Sequence, residues 1–240
     1  MIRVDLPVPT RVVAIGAHPD DIEFGGGATL AKWAAAGAHV ELCVCTDGSK
    51  GTWDGGADLA TLVATRQAEQ RSAAGVLGAR DVTFLGFGDG ELDHGRRARA
   101  AACEVIRRVR PDVVLGHEPW STTRSHPDHR NAGLLAIEGI VAARDPHFFP
   151  EQGLAPHRPR TLLLFEAEGP DHVERVDGWT DRKVEALLRH RSQWISTMGI
   201  DDRPEEQQAA FVRRIVDHAQ ADGIRAGLRA GEAFRRIDDL

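Results

Sequence analysis

Apolar residues follow two alternating patterns along this chain. Short runs rich in β-branched residues are typical of buried strands, and longer Ala-rich stretches with apolar residues three and four positions apart are typical of helices. The strand patterns cover residues 11–17, 40–45, 82–85, 112–116, 161–165 and 172–176. The helix patterns cover residues 27–36, 59–77, 98–109, 128–143, 181–194 and 205–219. This alternation predicts an α/β fold: a Rossmann-like, mostly parallel sheet with helices on both faces.

The 240 residues are expected to form a single domain. Hydrophobic residues make up 42% of the chain, which is enough for a full core without a disulfide framework. The Pro-rich stretch around residues 146–159 has the composition of a long loop rather than of a domain boundary. Residues 220–240 are expected to form a tail or an interface arm.

Composition also narrows the classes of partner. The net charge of −6 disfavours a nucleic-acid partner, because no basic surplus remains to bind phosphates. Residues 1–10 lack the apolar core of a signal peptide, and no apolar stretch approaches the length of a membrane span. The three cysteines do not have the spacing of a disulfide scaffold or a zinc knuckle. A cytoplasmic protein with no membrane partner is therefore expected.

Two clusters of histidines and carboxylates carry the candidate chemistry. The first, His18-Pro19-Asp20-Asp21, directly follows the first predicted strand, and the second, at residues 126–129, follows the fourth. In parallel α/β sheets, ligands collect at the carboxyl ends of the strands. A catalytic zinc site needs three His or carboxylate ligands and one open position. Six side chains compete for these roles: His18, Asp20, Asp21, His126, Asp128 and His129.

A single His-Pro-Asp turn also has a purely structural interpretation, since the aspartate can cap the helix that follows. Two such turns at the carboxyl ends of strands in one predicted sheet are much harder to explain as caps. We therefore favour a metal site. Carboxylates beyond the ligand set are expected in a hydrolase, because one of them must take a proton from the attacking water.

The segments AHPDDIEFGGGATL and HPDHRNAG resemble the LmbE/PIG-L family of zinc-dependent N-acetylglucosamine deacetylases. This family includes bacterial enzymes of mycothiol and bacillithiol synthesis, and the resemblance extends over residues 11–194. It implies a Rossmann-like fold without a dinucleotide, and it implies Zn²⁺ as cofactor, with Fe²⁺ as the alternative metal. A homo-oligomer is expected on the same ground.

The resemblance also implies roles for individual residues. It gives the zinc ligands as His18, Asp21 and His129. It makes Asp20 the general base, and it makes His126 the group that stabilises the oxyanion. Asp128 would then orient a metal-bound histidine, as such ligands usually require.

Three further residues are candidate substrate contacts. Arg66 matches a position at which family members hold an arginine that contacts the sugar. Asp47 lies in a Gly-containing loop that resembles the family's loop near the substrate, and Asp89 lies in the loop after the third strand. One departure is visible: many members carry Glu directly after the two aspartates, whereas this chain has Ile22 there and Glu23 one place later. This departure puts substrate contacts in question more than the core chemistry.

The function expected from these residues is hydrolysis of the acetamide of an N-acetylglucosaminyl small molecule by zinc-activated water. An amidase that removes a larger acyl group from a glucosaminyl conjugate is an alternative within the same class. A non-catalytic Rossmann-like binding protein is the alternative from another class, and it predicts no tightly bound metal.

Overall fold

A computed structural model describes residues 2–123 and 126–240 of the chain. Its eight strands form one sheet with the order β1-β7-β8-β6-β5-β2-β3-β4. The strands are β1 (Arg3–Val4), β2 (Arg11–Gly16), β3 (His39–Thr46), β4 (Asp81–Phe87), β5 (Val113–His117), β6 (Thr161–Phe165), β7 (His172–Arg175) and β8 (Gly231–Asp238). The neighbours from β6 to β4 all pair in parallel, which confirms the predicted sheet.

The α-helices cover both faces of this sheet. They are α1 (Asp21–Ala35), α2 (Leu59–Leu77), α3 (Arg96–Val109), α4 (Pro127–Arg144), α5 (Thr180–Leu187) and α6 (Pro204–Ile224). Successive residues of a strand point to opposite faces. In β2, Val13 and Ile15 pack in a core with α3 and α4, whereas Val12 and Ala14 pack on the other side with α1. The predicted α/β fold with helices on both faces is therefore confirmed.

The prediction of a tail over residues 220–240 is wrong. Residues 220–224 complete α6, and β8 lies inside the sheet, where it pairs antiparallel with both β6 and β7. Its sequence contains Arg235 and Arg236 side by side, which masks the alternation of a buried strand. The pairing partners are more than 50 residues away in the chain, so no local pattern indicates them.

Two helix boundaries also differ from the prediction. The first helix begins at Asp21 rather than at residue 27, and it is kinked at Gly26, whose φ of −150° is not helical. The fifth helix ends at Leu187, and a 3₁₀ turn (Arg191–Gln193) and a π-helical turn (Trp194–Met198) continue the chain. None of the helices in the described ranges is long and apolar enough to cross a membrane.

The glycines at the start of α1 allow the helix to lie against the sheet. A Cβ atom added at Gly25 would lie 2.5 Å from the Phe165 ring, and one at Gly26 would lie 2.8 Å from Leu115. Only a residue without a side chain permits this approach. The position of α1 matters for function, because its first residues carry the first His-carboxylate cluster.

A buried ion pair supports the kink in α1. The Glu232 carboxylate accepts hydrogen bonds from the backbone N–H groups of Ala28 and Thr29, at 3.1 and 2.7 Å. Lys183 Nζ donates to the same carboxylate at 2.8 Å, and the two charged side chains are 4% and 6% exposed. Glu232 from β8 therefore binds two backbone N–H groups of α1 directly after the kink.

We expect Glu232→Gln to destabilise the protein by about 3 kcal/mol, because it leaves the Lys183 ammonium buried without its counter-charge. Urea denaturation measures the free energy of unfolding. The control is Glu185→Gln, which removes a carboxylate that is 44% exposed. That change should lower stability by less than about 0.5 kcal/mol. An equal decrease of the free energy of unfolding in the two variants would contradict the proposed role of the Lys183–Glu232 pair.

Candidate active site

A cavity of about 510 Å³ lies at the carboxyl-terminal edge of the parallel strands. Residues that follow three of these strands line its wall: His18 follows β2, Asp89 follows β4, and Glu166 follows β6. His126 and His129 come from the start of α4, which follows β5. The two clusters seen in the sequence are therefore brought into one cavity, at the edge where α/β sheets bind ligands.

Three side chains in this cavity form a triangle of potential metal ligands. His18 Nδ1 lies 3.3 Å from Asp21 Oδ2 and 3.3 Å from His129 Nε2, and His129 Nε2 lies 3.3 Å from Asp21 Oδ1. Ligand atoms at about 2.0–2.2 Å from a tetrahedral zinc are separated by roughly 3.3–3.6 Å. The residues that the resemblance implies as ligands thus bring potential ligand atoms to 3.3 Å from one another, with Asp21 facing His18 through Oδ2 and His129 through Oδ1.

His117, the last residue of β5, is a fourth member of the cluster. Its Nε2 lies 3.3 Å from Asp21 Oδ2, and its ring stacks on that of His129 with centroids 4.3 Å apart. Asp21, His117 and His129 also form a group that could hold a metal ion. Its position at the end of β5, beside β2 in the sheet, is the signal that could have identified it.

The other ring nitrogen of His18 faces two carboxylates. Nε2 lies 3.2 Å from Asp128 Oδ2 and 3.1 Å from Asp89 Oδ1. Asp128 is completely buried, and it also accepts backbone hydrogen bonds from Gly90 and Leu92. A histidine that binds a metal through one nitrogen usually donates to a carboxylate through the other. Asp128 and Asp89 therefore fix the orientation of His18.

These carboxylates control the protonation of His18. Burial alone lowers the pKa of His18, but hydrogen bonds to Asp128, Asp21 and Asp89 outweigh it and raise the pKa to about 12. The metal-free protein thus holds a proton on His18 at neutral pH. Because metal ligands must be deprotonated, a divalent ion has to displace this proton.

We expect zinc affinity to rise about tenfold per pH unit between about pH 6 and pH 8, because one proton leaves His18 for each ion bound. Zinc affinity rises rather than falls with pH because the pKa of His18 is raised, so that His18 is protonated over this whole pH window. Competition with a zinc indicator at several pH values measures the dissociation constant. An affinity that does not change with pH would contradict this coupling.

Two predicted substrate contacts, Asp89 and Asp47, also bind groups within the protein. Asp89 lines the cavity, but its carboxylate faces His18 and accepts a hydrogen bond from the Lys50 backbone N–H at 2.9 Å. Asp47 is absent from the described residues that line the cavity, and its Oδ1 accepts from the backbone N–H groups of Ser49 and Asp89. The structure adds a role for Asp89 and Asp47 in positioning the loops and His18, and their contact with a substrate stays a prediction.

Asp20 has a strained backbone and a buried carboxyl group. Its φ is 112°, a region that costs a non-glycine residue about 1–3 kcal/mol. Its side chain makes no capping hydrogen bond to the described residues of α1, and it lies 3.7 Å from Arg66 Nη2 on the cavity wall. Burial raises the pKa of Asp20 to about 6, although the charge of Arg66 opposes this shift. The group is thus ionised at neutral pH and still basic enough to accept a proton.

A buried polar network fixes the backbone at Asp20. Its N–H donates to Gln70 Oε1 at 3.0 Å, and Gln70 Nε2 donates to Glu23 Oε1 at 2.6 Å. Gln70 and Glu23 are completely buried, and His190 Nε2 lies 3.7 Å from Glu23 Oε2. Ile22 is 1% exposed in the apolar core. The difference from the family at Ile22 and Glu23 therefore lies in the buried residues that hold the Asp20 backbone, and not in the cavity wall.

Arg66 connects two loops of the site. It is 3% exposed, and its guanidinium donates to the backbone carbonyl oxygens of Gly48 at 2.9 Å and Pro19 at 2.7 Å. It also lines the cavity beside Asp20. The predicted contact of Arg66 with substrate stays a prediction, and the structure adds a role in holding the loop before Asp20.

His126 is held in one tautomer by the start of α4. Its Nδ1 accepts a hydrogen bond from the Asp128 backbone N–H at 3.2 Å, so the proton of the neutral ring is on Nε2. Burial, together with the neighbouring His18 and His129, lowers the pKa of His126. A neutral ring with an Nε2–H donor at the cavity is suited to stabilising a developing negative charge.

The fold and the site define a class: an α/β protein with a histidine–carboxylate centre at the carboxyl ends of its parallel strands. The family model described as PIG-L, GlcNAc-PI de-N-acetylase, matches residues 13–140. A diacetylchitobiose deacetylase of Thermococcus kodakarensis is 33% identical, over 90% of this chain and 82% of the relative. The chain belongs to the PIG-L family, which confirms the resemblance seen in the sequence.

Two further comparisons agree. A 1D-myo-inositol 2-acetamido-2-deoxy-alpha-D-glucopyranoside deacetylase of Geodermatophilus obscurus is 32% identical, over 95% of this chain and 84% of the relative. The solved structure of N,N'-diacetylchitobiose deacetylase from Pyrococcus horikoshii has a TM-score of 0.85 and 32% identity, covering 96% of this chain and 84% of that one. A deacetylase of known structure therefore shares most of this fold.

Proposed function

We propose that this protein is a metal-dependent N-deacetylase that acts on N-acetylglucosaminyl substrates. The observation that carries the proposal is the triangle of His18, Asp21 and His129 with Asp20 beside it in one cavity. Both relatives are named for substrates that contain a 2-acetamido sugar, which supports the choice of substrate. The bond to be cleaved is the amide C–N bond of the acetamide group on that sugar.

His18, Asp21 and His129 would hold the metal. A bound Zn²⁺ or Fe²⁺ supplies Lewis acidity, which lowers the pKa of water and polarises an amide carbonyl. Asp128 and Asp89 keep the His18 ring in the orientation that presents Nδ1 to the site.

Asp20 is the general base in this proposal. Its ionised carboxylate accepts the proton of the attacking water, and the protonated carboxyl then returns a proton to the departing amine. The hydrogen bond from the Asp20 backbone N–H to Gln70 holds the backbone that carries this carboxyl group. The products are acetate and the free amino sugar.

His126 stabilises the negative charge that develops on the amide oxygen when water adds to the carbonyl carbon. Its Nε2–H donates to the oxygen, while the Asp128 N–H holds its Nδ1. A lowered pKa keeps the ring neutral, so His126 acts as a hydrogen-bond donor that needs no second proton. Removing one such donor typically costs about 100- to 1,000-fold in rate.

The test is the formation of acetate and free amine from N-acetylglucosamine and diacetylchitobiose by the metal-loaded protein. Equal amounts of acetate and amine are expected, and an N-acetyl amino acid serves as the comparison substrate. Metal-loaded protein that releases acetate from neither sugar contradicts the proposal.

A further inference from the structure

Glu166 lines the cavity, and the proposed reaction does not use its carboxylate. The residue directly follows β6, and its side chain is 18% exposed. Its φ of 60° lies in the left-handed region, which costs a non-glycine residue about 1–3 kcal/mol. Such strain persists only where the surrounding structure enforces it, and it is common at active sites. The contacts of the carboxylate indicate what Glu166 does there.

The Glu166 carboxylate faces two stacked histidine rings. Its Oε2 lies 3.4 Å from Nδ1 of His117 and 4.0 Å from Nδ1 of His129. The ring centroids are 4.3 Å apart, and the ring planes are inclined by only 29°. At the other edge of the rings, each Nε2 lies 3.3 Å from a carboxylate oxygen of Asp21. The stacked pair therefore lies between two carboxylates, with both Nδ1 atoms directed to Glu166.

Nδ1 of His129 must carry the ring proton when a metal is bound. Nε2 of His129 belongs to the ligand triangle, at 3.3 Å from both His18 Nδ1 and Asp21 Oδ1. A metal ligand needs the lone pair on that nitrogen, so the proton of the neutral ring is on Nδ1. Nδ1 is buried, and it has no hydrogen-bond partner among the residues that the structure describes. An acceptor for this N–H group would fix both the tautomer and the orientation of the ligand.

His117 has the same tautomer for a different reason. Its Nε2 accepts a hydrogen bond from the Ala17 backbone N–H at 3.3 Å, so the proton of the neutral ring is again on Nδ1. Within the described ranges, this Nδ1 is also buried without a hydrogen-bond partner. The lone pair that binds the Ala17 N–H is not available to a metal. His117 is therefore better suited to supporting the stacked His129 ring than to acting as a fourth ligand.

We propose that Glu166 is a positioning residue, which accepts the Nδ1–H groups of His117 and His129 and thereby holds His129 Nε2 toward the metal. One carboxylate oxygen can accept both bonds, because it has two lone pairs. His117 fills the space beside His129 and keeps the two Nδ1–H groups together. The strained backbone at Glu166 is then explained by the direction in which its carboxylate must point.

This assignment places a carboxylate behind each of the two metal-binding histidines. Asp128 Oδ2 lies 3.2 Å from the outer nitrogen of His18, and Glu166 has the corresponding place behind His129. Loss of such a partner typically lowers metal affinity about 10- to 100-fold. The inference rests on the proposed function, because His129 must bind the metal, but it concerns metal binding rather than turnover.

The test measures the zinc dissociation constant, by competition with a zinc indicator, in the wild type and in two variants of Glu166. We expect Glu166→Ala to raise it about 10- to 100-fold. Glu166→Gln keeps an acceptor oxygen without the charge, so it should raise the constant less. The visible absorption spectrum of the Co²⁺-loaded protein should also change in Glu166→Ala, because this spectrum reports the geometry of the ligands. The matched control is Glu151→Gln, which changes a carboxylate that is 59% exposed and should alter neither quantity.

A folded Glu166→Ala variant that binds zinc as tightly as the wild type overturns the positioning role, and an effect on KM alone would make Glu166 a substrate contact instead. A folded His117→Gln variant should retain its metal. Loss of metal as complete as in His129→Ala would make His117 a ligand and overturn its supporting role. If the wild type binds zinc but releases no acetate, the proposed function fails, and the zinc affinities still decide the role of Glu166. A wild type that binds no metal overturns that role.

Discussion

Replacing His129 with alanine will remove bound metal and, with it, deacetylation. His129 Nε2 is one corner of the ligand triangle, and its side chain is only 14% exposed. Loss of a residue that merely supports a ligand lowers metal affinity about 10- to 100-fold, so loss of a ligand should lower it by at least about 100-fold. Metal content by mass spectrometry and competition with a chelator measure this effect.

The matched control for His129 is His147→Ala, since His147 is exposed in the loop after α4. It should keep the wild-type metal content. Circular dichroism establishes whether each variant is folded. A folded His129→Ala variant that binds metal as tightly as the wild type would remove His129 from the ligand set and point to Asp21, His117 and other neighbours.

Changing Asp20 to asparagine separates catalysis from metal binding. The variant keeps the size of the side chain but cannot accept a proton, so kcat should fall by about 100- to 10,000-fold. Its metal content should stay at the wild-type level, because Asp20 is adjacent to the triangle rather than part of it. Acetate release under saturating substrate measures kcat.

Asp217→Asn is the matched control for Asp20, because Asp217 is exposed on α6. It should retain wild-type activity. An Asp20→Asn variant that keeps both its metal and full activity would show that another group takes the proton from water.

The core of the site could be predicted from the sequence because its geometry is local. His18, Asp20 and Asp21 lie within one turn after a buried strand, and His126 and His129 lie at the start of one helix. Parallel strands end at the same edge of the sheet, which brings such turns together regardless of their distance in the chain. The fold class follows from the same alternation of strand and helix patterns.

The features that were missed depend on long-range contacts. β8 pairs with strands far away in the chain, and Glu232 on β8 supports a kink that the glycines alone do not indicate. His117 ends a predicted strand, so the sequence indicates that it could reach the site, but only the pairing of β5 with β2 places its Nε2 beside Asp21. Contacts of this kind leave no periodic signal in the sequence.

The hydrogen-bond partners of Asp89 and Asp47 are a second example of contacts that the sequence does not indicate. Loop residues near a site are natural candidates for substrate contact. In the structure their carboxylates also bind backbone N–H groups, and Asp89 faces His18. The hydrogen-bond partner of a loop carboxylate depends on the conformations of two loops together. The sequence of one loop therefore does not specify it.

The most direct test of the account is acetate release from diacetylchitobiose by one preparation in three states: as purified with metal, stripped by a chelator, and reloaded with Zn²⁺ or Fe²⁺. Acetate and free amine are expected in the first state, loss of activity in the second and recovery in the third. Stripped, folded protein that releases acetate as fast as the reloaded protein would contradict a reaction that depends on a metal at His18, Asp21 and His129.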